Sequence, residues 1–386
     1  MSDRSAVAPG AAPGAASADA RPPLIVLACI VSYNTAEHLA GAIEALLAQR
    51  TSADLRIVVV DNASADGSAA VARRYRTSGR VVVLANSENR GFAGGANQGL
   101  ALAREAGAQV FCVANPDVRP EPDYLQRVLD ALLADDRRAA VGGKLWRTAD
   151  ADDGAPLIDS TGHVAFTTRL FRNRGETEPD RGQYDETTEV FGISGALGTY
   201  RMAALEDIAV PMDPDPGAAR EVFDETLFAF WEDVDLDWRL QLRGWQAWYL
   251  PGAHARHERG GAGPRRSEVV ERLNYTNRLL VVLKNDHPRA LLRALPGFAL
   301  TTALKTLELG LTHPRALLAS GPSLWRSIRP TLRRRRLVQA RATVPPGEVV
   351  ARWFQPFDYA GWVATWWRRV RSERAGQPGA RPSASA

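Results

Sequence analysis

Between residues 24 and 146, short apolar runs alternate with segments of helical periodicity, and this alternation narrows the possible folds more than any other feature. The runs are 24–32, 55–60, 81–85, 110–114 and 141–145. The helical segments lie at Leu39/Ile43/Leu46/Leu47, at 69–76, in a Gly-rich stretch ending near Ala106, and at 124–133. Strands separated by helices imply βαβ units, and chained βαβ units build an α/β, Rossmann-like, mostly parallel sheet flanked by helices. Ligands of such sheets lie beyond the carboxyl ends of the strands, so the informative residues should follow each strand.

With 386 residues, 45% of them hydrophobic, the chain can bury one large core with attachments, which excludes disorder throughout. Its only cysteines, Cys29 and Cys112, sit in apolar strand-like runs, which excludes a disulfide scaffold and a cysteine metal cluster and fits a reducing compartment. The first 23 residues are Ala/Pro/Gly/Ser-rich without an apolar signal core, and a disordered tail is expected there and at 376–386.

After the first strand come Ser32, Tyr33, Asn34 and Thr35, where Tyr33 suits ligand contact and Thr35 suits a helix cap. The second strand runs into Asp61, an acid placed to accept hydrogen bonds from a base or ribose, while Asp66 and Ser68 suit the turn. The third ends in the Gly-rich turn 89–99, with Asn89, Arg90, Gly91 and Asn97. Two readings stand for its glycines: backbone N–H groups and Arg90 cradling a diphosphate, or tight helix–sheet packing. The spacing G-x-x-G-G-x-x-x-G departs from the dinucleotide fingerprint and counts against a dehydrogenase. The fourth strand delivers Asn115-Pro116-Asp117, where Asp117 is either a hard-oxygen ligand for Mg²⁺ or Mn²⁺ or part of an Asx-turn.

The polar stretch 150–186 reads as an irregular, mobile flap, and 191–200 as a strand broken by glycines where another group comes close. At 231–243 Glu232, Asp233, Asp235 and Asp237 open a helix that Gly244 ends. One acid in a first turn merely complements the helix dipole; four in six residues beside Trp231 point further. Past a strand at 245–250, His257 can pair with Asp117 as a carboxylate-plus-imidazole metal site.

In this order the motifs IVSYN (30–34), VVVDNASADGS (58–68), NRGFAGGANQG (89–99), NPD (115–117), SGALGTYR (194–201) and WEDVDLDWRLQLRGW (231–245) resemble the family 2 inverting glycosyltransferases of GT-A fold, over roughly residues 24–285. The likeness is strongest to bacterial rhamnosyltransferase-like enzymes of surface-polysaccharide assembly, which often carry NPD where other members show Asp-x-Asp. The resemblance implies a nucleotide-diphosphate sugar donor on Ser32, Tyr33, Asn34, Asp61, Asn89, Arg90, Gly91, Asn97 and Asn115, with Asp61 reading the base. It implies Mg²⁺ or Mn²⁺ on Asp117 and His257, Asp233 as catalytic base with Glu232 beside it, and a dTDP- or UDP-sugar, rhamnosyl favoured, passed to a polyprenyl-diphosphate-linked saccharide.

Residues 289–341 hold eleven Lys/Arg against one acid, Glu308, so they carry +10 and the remainder −6 of the net +4. With the interrupted apolar stretch 291–311, the arginine run 333–336 and the tryptophans at 353, 362, 366 and 367, the region 286–375 reads as basic, amphipathic and helical. A peripheral place on the cytoplasmic face of a bacterial membrane is expected, with no nucleic-acid partner because the body is acidic. A nucleotidyltransferase is the rival reading; it would need a Gly/Lys-rich loop after the first strand, and 32–38 has none.

Overall fold

The computed structural model describes residues 23–150, 154–211, 220–259, 267–363 and 366–367. Residues 1–22 of the expected N-terminal tail and the whole of 376–386 lie outside the described residues. In chain order the first half comprises β1 (Ile25–Ser32), α1 (Ala36–Leu47), β2 (Asp54–Asp61), α2 (Ser68–Arg74), β3 (Val81–Ala85), α3 (Gly91–Glu105), β4 (Val110–Ala114), β5 (Val118–Pro120) and α4 (Tyr124–Leu133). Then come β6 (Arg138–Asp150), β7 (Pro156–Ser160), β8 (His163–Phe166), β9 (Phe171–Asn173), β10 (Thr188–Val190), β11 (Leu197–Arg201), α5 (Met202–Ile208) and the short pair β12 (Val210–Pro211) and β13 (Arg220–Glu221). The chain continues through α6 (Glu232–Leu242), β14 (Gln246–His257), α7 (Glu268–Asn285), α8 (Pro288–Thr312), α9 (Pro314–Arg341), α10 (Pro346–Trp353) and β15 (Phe354–Gln355).

The main sheet has the order β10-β14-β6-β11-β4-β1-β2-β3. β4, β1, β2 and β3 are mutually parallel, as the βαβ pattern requires, and β11 joins antiparallel between β4 and β6. Both faces of β1 are covered: Leu27, Cys29 and Val31 pack under α3, α5 and α6, while Val26, Ala28 and Ile30 pack under α1 and α4. Burial on both faces explains why the strand reads as an unbroken apolar run. The registers Ser32↔Asp61, Asp61↔Ala85 and Leu197↔Ala114 bring the turns after β1, β2, β3 and β4 and the turn before β11 to one sheet edge.

The stretch 150–186 differs from its reading as an irregular flap. Among its described residues it forms β7, β8 and β9, with Asp159, His163 and Arg169 buried. Two of its polar residues form ion pairs with the body, Asp180 with Lys144 at 3.0 Å and Arg169 with Asp286 at 2.7 Å, so polarity there marks a buried network, while 181–187 is irregular and mostly exposed as read. The C-terminal helices pack on this body: β15 pairs with β8, Trp353 Nε1 donates to Gln241 Oε1 at 2.8 Å, and Arg334 pairs with Glu221 at 2.9 Å.

Candidate active site

The turns after β1 and β2 lock into each other. Asn34 holds a positive φ of 53°; its backbone N–H donates to Ser64 Oγ at 2.9 Å, and its side-chain carbonyl accepts from the Ala65 N–H at 2.8 Å. Thr35 does not cap α1. Its hydroxyl pairs with Ser32 Oγ at 2.7 Å, and the cap comes instead from Asp66, whose Oδ2 accepts from the Ala36 N–H at 2.8 Å. Tyr33 is exposed at the rim. Asp61 is buried; its Oδ2 accepts from the Ser64 N–H at 3.1 Å, while Oδ1 has no partner. A buried carboxylate oxygen left without a donor costs free energy unless something supplies one.

The glycine-rich turn serves packing as well as any ligand. Gly91 has φ +71°, its N–H is held by Asn89 Oδ1 at 2.8 Å, and a Cβ there would run into Phe228. Arg90 pairs with Glu225 at 3.1 Å, and Asn97 holds the backbone of Phe223 at 2.8 Å. The residues after β3 thereby bind the loop that leads into α6.

That loop is strained. Phe228, Phe230 and Trp231 have φ of 63°, 68° and 73°, and Asn277 of α7 donates to the carbonyls of Leu227, Ala229 and Phe230 at 2.8–2.9 Å. Left-handed backbone at bulky residues persists only where the surroundings over-determine it. Here it aims the first turn of α6. Asp233 Oδ2 accepts from the Gly195 N–H at 3.1 Å, and Asn115 donates its own N–H to the Ala196 carbonyl at 2.8 Å. One turn, 194–196, therefore ties the Asn115–Asp117 loop and Asp233 to the same edge. Glu232 is buried beside Asp233, with Oε2 unpartnered, and burial followed by the Asp233 charge pushes its pKa up to about 8.

His257 ends β14 opposite Val118 of β5, which carries it to Asp117: His257 Nε2 lies 3.2 Å from Asp117 Oδ1, and Nδ1 lies 2.8 Å from Asp159 Oδ2. Burial alone would depress His257, but hydrogen bonds to Asp117 and Asp159 outweigh it and raise the pKa. Asp159 also pairs with Arg147 at 3.4 Å and with Arg259. The sequence reading missed Asp159, which lies in the supposed flap, and no local pattern marks it. It missed Asn277 and His163 too: the first is one asparagine within a helix, the second one histidine in a polar stretch, each informative only through partners far along the chain. Among the described residues no group of three His, Cys, Asp or Glu side chains is arranged as a complete metal cage.

Residues 28–215 match the glycosyl transferase family 2. A Mycobacterium tuberculosis protein named N-acetylglucosaminyl-diphospho-decaprenol L-rhamnosyltransferase is 28% identical over 245 residues, which is 59% of this chain and 74% of that one. The succinoglycan biosynthesis protein ExoO of Rhizobium meliloti is 33% identical over 112 residues, 29% of this chain and 31% of its own. A structure of GalNAc-T7 with UDP, GalNAc and Mn²⁺ superposes with a TM-score of 0.49 at 14% identity, covering 68% of this chain and about half, 48%, of that one. Residues 28–215 carry a glycosyl transferase family 2 domain, and the chain is a glycosyltransferase.

Proposed function

We infer that this enzyme transfers a hexosyl group, rhamnosyl favoured, with inversion from a dTDP- or UDP-sugar to a hydroxyl of a polyprenyl-diphosphate-linked saccharide in cell-surface polysaccharide synthesis. The observation that carries the reading is the 194–196 turn, which joins the Asn115–Asp117 loop and Asp233 at one edge. The mycobacterial relative's name supports the sugar and the lipid-linked acceptor.

In this reading Asp61, with its unpartnered Oδ1, receives the nucleoside, and Ser32, Tyr33, Asn34 and Asn115 line the same edge. Asn89, Arg90, Gly91 and Asn97 shape the cradle for the diphosphate through the loop they hold. The acceptor hydroxyl attacks the anomeric carbon and the bond to the diphosphate oxygen breaks; Asp233 takes the hydroxyl proton while Glu232 supplies a neutral neighbour. A single displacement needs one base and no second nucleophilic carboxylate.

Asp117 and His257 are the residues that would hold Mg²⁺ or Mn²⁺. Their carboxylate and imidazole donors fit a divalent cation, and Asp159 steadies the far ring nitrogen as a supporting carboxylate does at metal sites. Such an ion, when bound, neutralises charge on a departing diphosphate.

The membrane reading gains support from α8. Leu292, Leu295, Leu300, Leu307 and Leu311 are exposed along it, and Leu318, Trp325, Ile328 and Leu332 along α9, with Arg326, Arg329 and Arg333 among them. An exposed apolar stripe flanked by arginines suits an anionic leaflet, each cation adding about 1 kcal/mol. No helix among the described residues is long and apolar enough to cross a membrane. A panel of nucleotide sugars incubated with the protein and Mn²⁺ or Mg²⁺ tests the proposal: release of nucleoside diphosphate from a dTDP- or UDP-hexose is expected, and pyrophosphate release from a nucleoside triphosphate would favour the nucleotidyltransferase instead.

A further inference from the structure

A buried imidazole stands behind Asp233. His163 opens β8, and its backbone N–H donates to the Gly192 carbonyl at 2.8 Å. Its Nδ1 lies 2.7 Å from Asp237 Oδ2 and its Nε2 lies 3.6 Å from Asp233 Oδ2. Asp233 and Asp237 are one helical turn apart on α6, so both face this side and the ring bridges them. Gly192 leaves the room: a Cβ there would overlap the Asp237 carboxyl group.

The other titratable groups facing the cluster are acids. Glu232 and Asp235 stand on α6, the latter already paired with Arg239 and Lys284, and Tyr200 comes from β11; the uncharged Asn173 amide reaches the ring from β9. Two carboxylates on one helix face repel each other, and a cation between them offsets that repulsion. Burial alone would depress His163, but Asp233 and Asp237 outweigh it and raise its pKa to about 9. Burial pushes Asp237 up to about 7 even against the stabilising contact with the ring.

We propose that His163, anchored by Asp237, is the positioning residue of the base: its ring holds the Asp233 carboxylate in place beside Glu232. This deepens the reading of Asp233 as the proton acceptor and rests on it. The acceptor O–H proton passes to Asp233, the new C–O bond forms as the diphosphate leaves with its electron pair, and His163 keeps its proton throughout.

Turnover of His163→Gln and Asp237→Asn on the nucleotide sugar that the wild-type enzyme uses is the kinetic test. Supporting partners of a functional group are worth about 10–100-fold in activity, so kcat should fall by about that factor with KM unchanged. In His163→Gln, where no imidazole faces the carboxylate, the acid limb of the kcat profile should move to higher pH, which a merely structural defect would not produce. Wild-type kcat in both variants together with an unmoved limb in His163→Gln overturns the proposal. A second readout needs neither turnover nor a His163 variant: ring-labelled histidine followed by NMR in the intact protein and in Asp233→Asn. The His163 ring is expected to titrate well above an ordinary imidazole and to drop when Asp233 loses its charge. Titration near the ordinary value of about 6.5, unmoved in Asp233→Asn, overturns it. If no nucleotide sugar is turned over at all, the transfer reading fails while this titration still decides the His163–Asp233 contact.

Discussion

The two sides of the proposed site are held by different kinds of contact. On the side of Asp61, turns that follow neighbouring parallel strands bond to each other at short range: Asn34 to Ser64 and Ala65, and Ala36 to Asp66. On the side of Asp233, the parts come from distant stretches: Gly195 and His163 on the carboxylate, Asn277 under the strained loop, and Lys284 of α7 between Asp224 and Asp235 at the back of α6. The first side follows from strand order alone. The second depends on buried charge and amide contacts that the C-terminal half must bring in, so damage far from the site should reach it selectively.

The largest expected effect comes from Lys284, buried between Asp224 and Asp235, the latter at 2.7 Å. Lys284→Met removes the cation shared by two buried carboxylates and leaves Asp224 to Arg334 and Asp235 to Arg239, which costs about 3 kcal/mol in the unfolding free energy measured by denaturant titration. A loss below about 1 kcal/mol would mean that this side does not depend on its charges. Next in size is membrane affinity. Leu300→Asp on the exposed stripe of α8 should weaken co-sedimentation with anionic vesicles by about the 1.5–3 kcal/mol that burying a leucine is worth. Undiminished binding would place the contact on another surface. Smallest is Asp61→Asn, which should raise the Kd for UDP or dTDP by about tenfold, near 1.4 kcal/mol, and leave the fold intact. Unchanged nucleotide affinity would remove Asp61 from nucleotide binding.

How much was legible in the sequence follows the same division. Two-sided burial of β1 to β4 makes each strand a continuous apolar run, so their order, and the loop residues Asp61 and Asp117 at their ends, could be read directly. Asp233 stood out because four acids crowd six residues next to Trp231. His163, Asp159 and Asn277 could not. Each is a single polar residue whose meaning lies in one partner more than forty positions away, Asp237, His257 and the carbonyls of 227–230 respectively. The stretch 150–186 misled for the same reason, since buried ion-pair networks and solvated loops share one composition. Thr35 misled because Asp66, arriving from the neighbouring turn, is the stronger cap.

In the proposed reaction Asp233 serves the proton while Asp61 and the Asn115–Asp117 loop serve the nucleotide. Measuring kcat together with nucleotide affinity in Asp233→Asn separates the two roles. The expected result is a kcat lower by about 10²–10⁴-fold, the usual share of a general base, with the Kd for the nucleoside diphosphate unchanged. Full turnover, or loss of nucleotide binding in step with turnover, would contradict it.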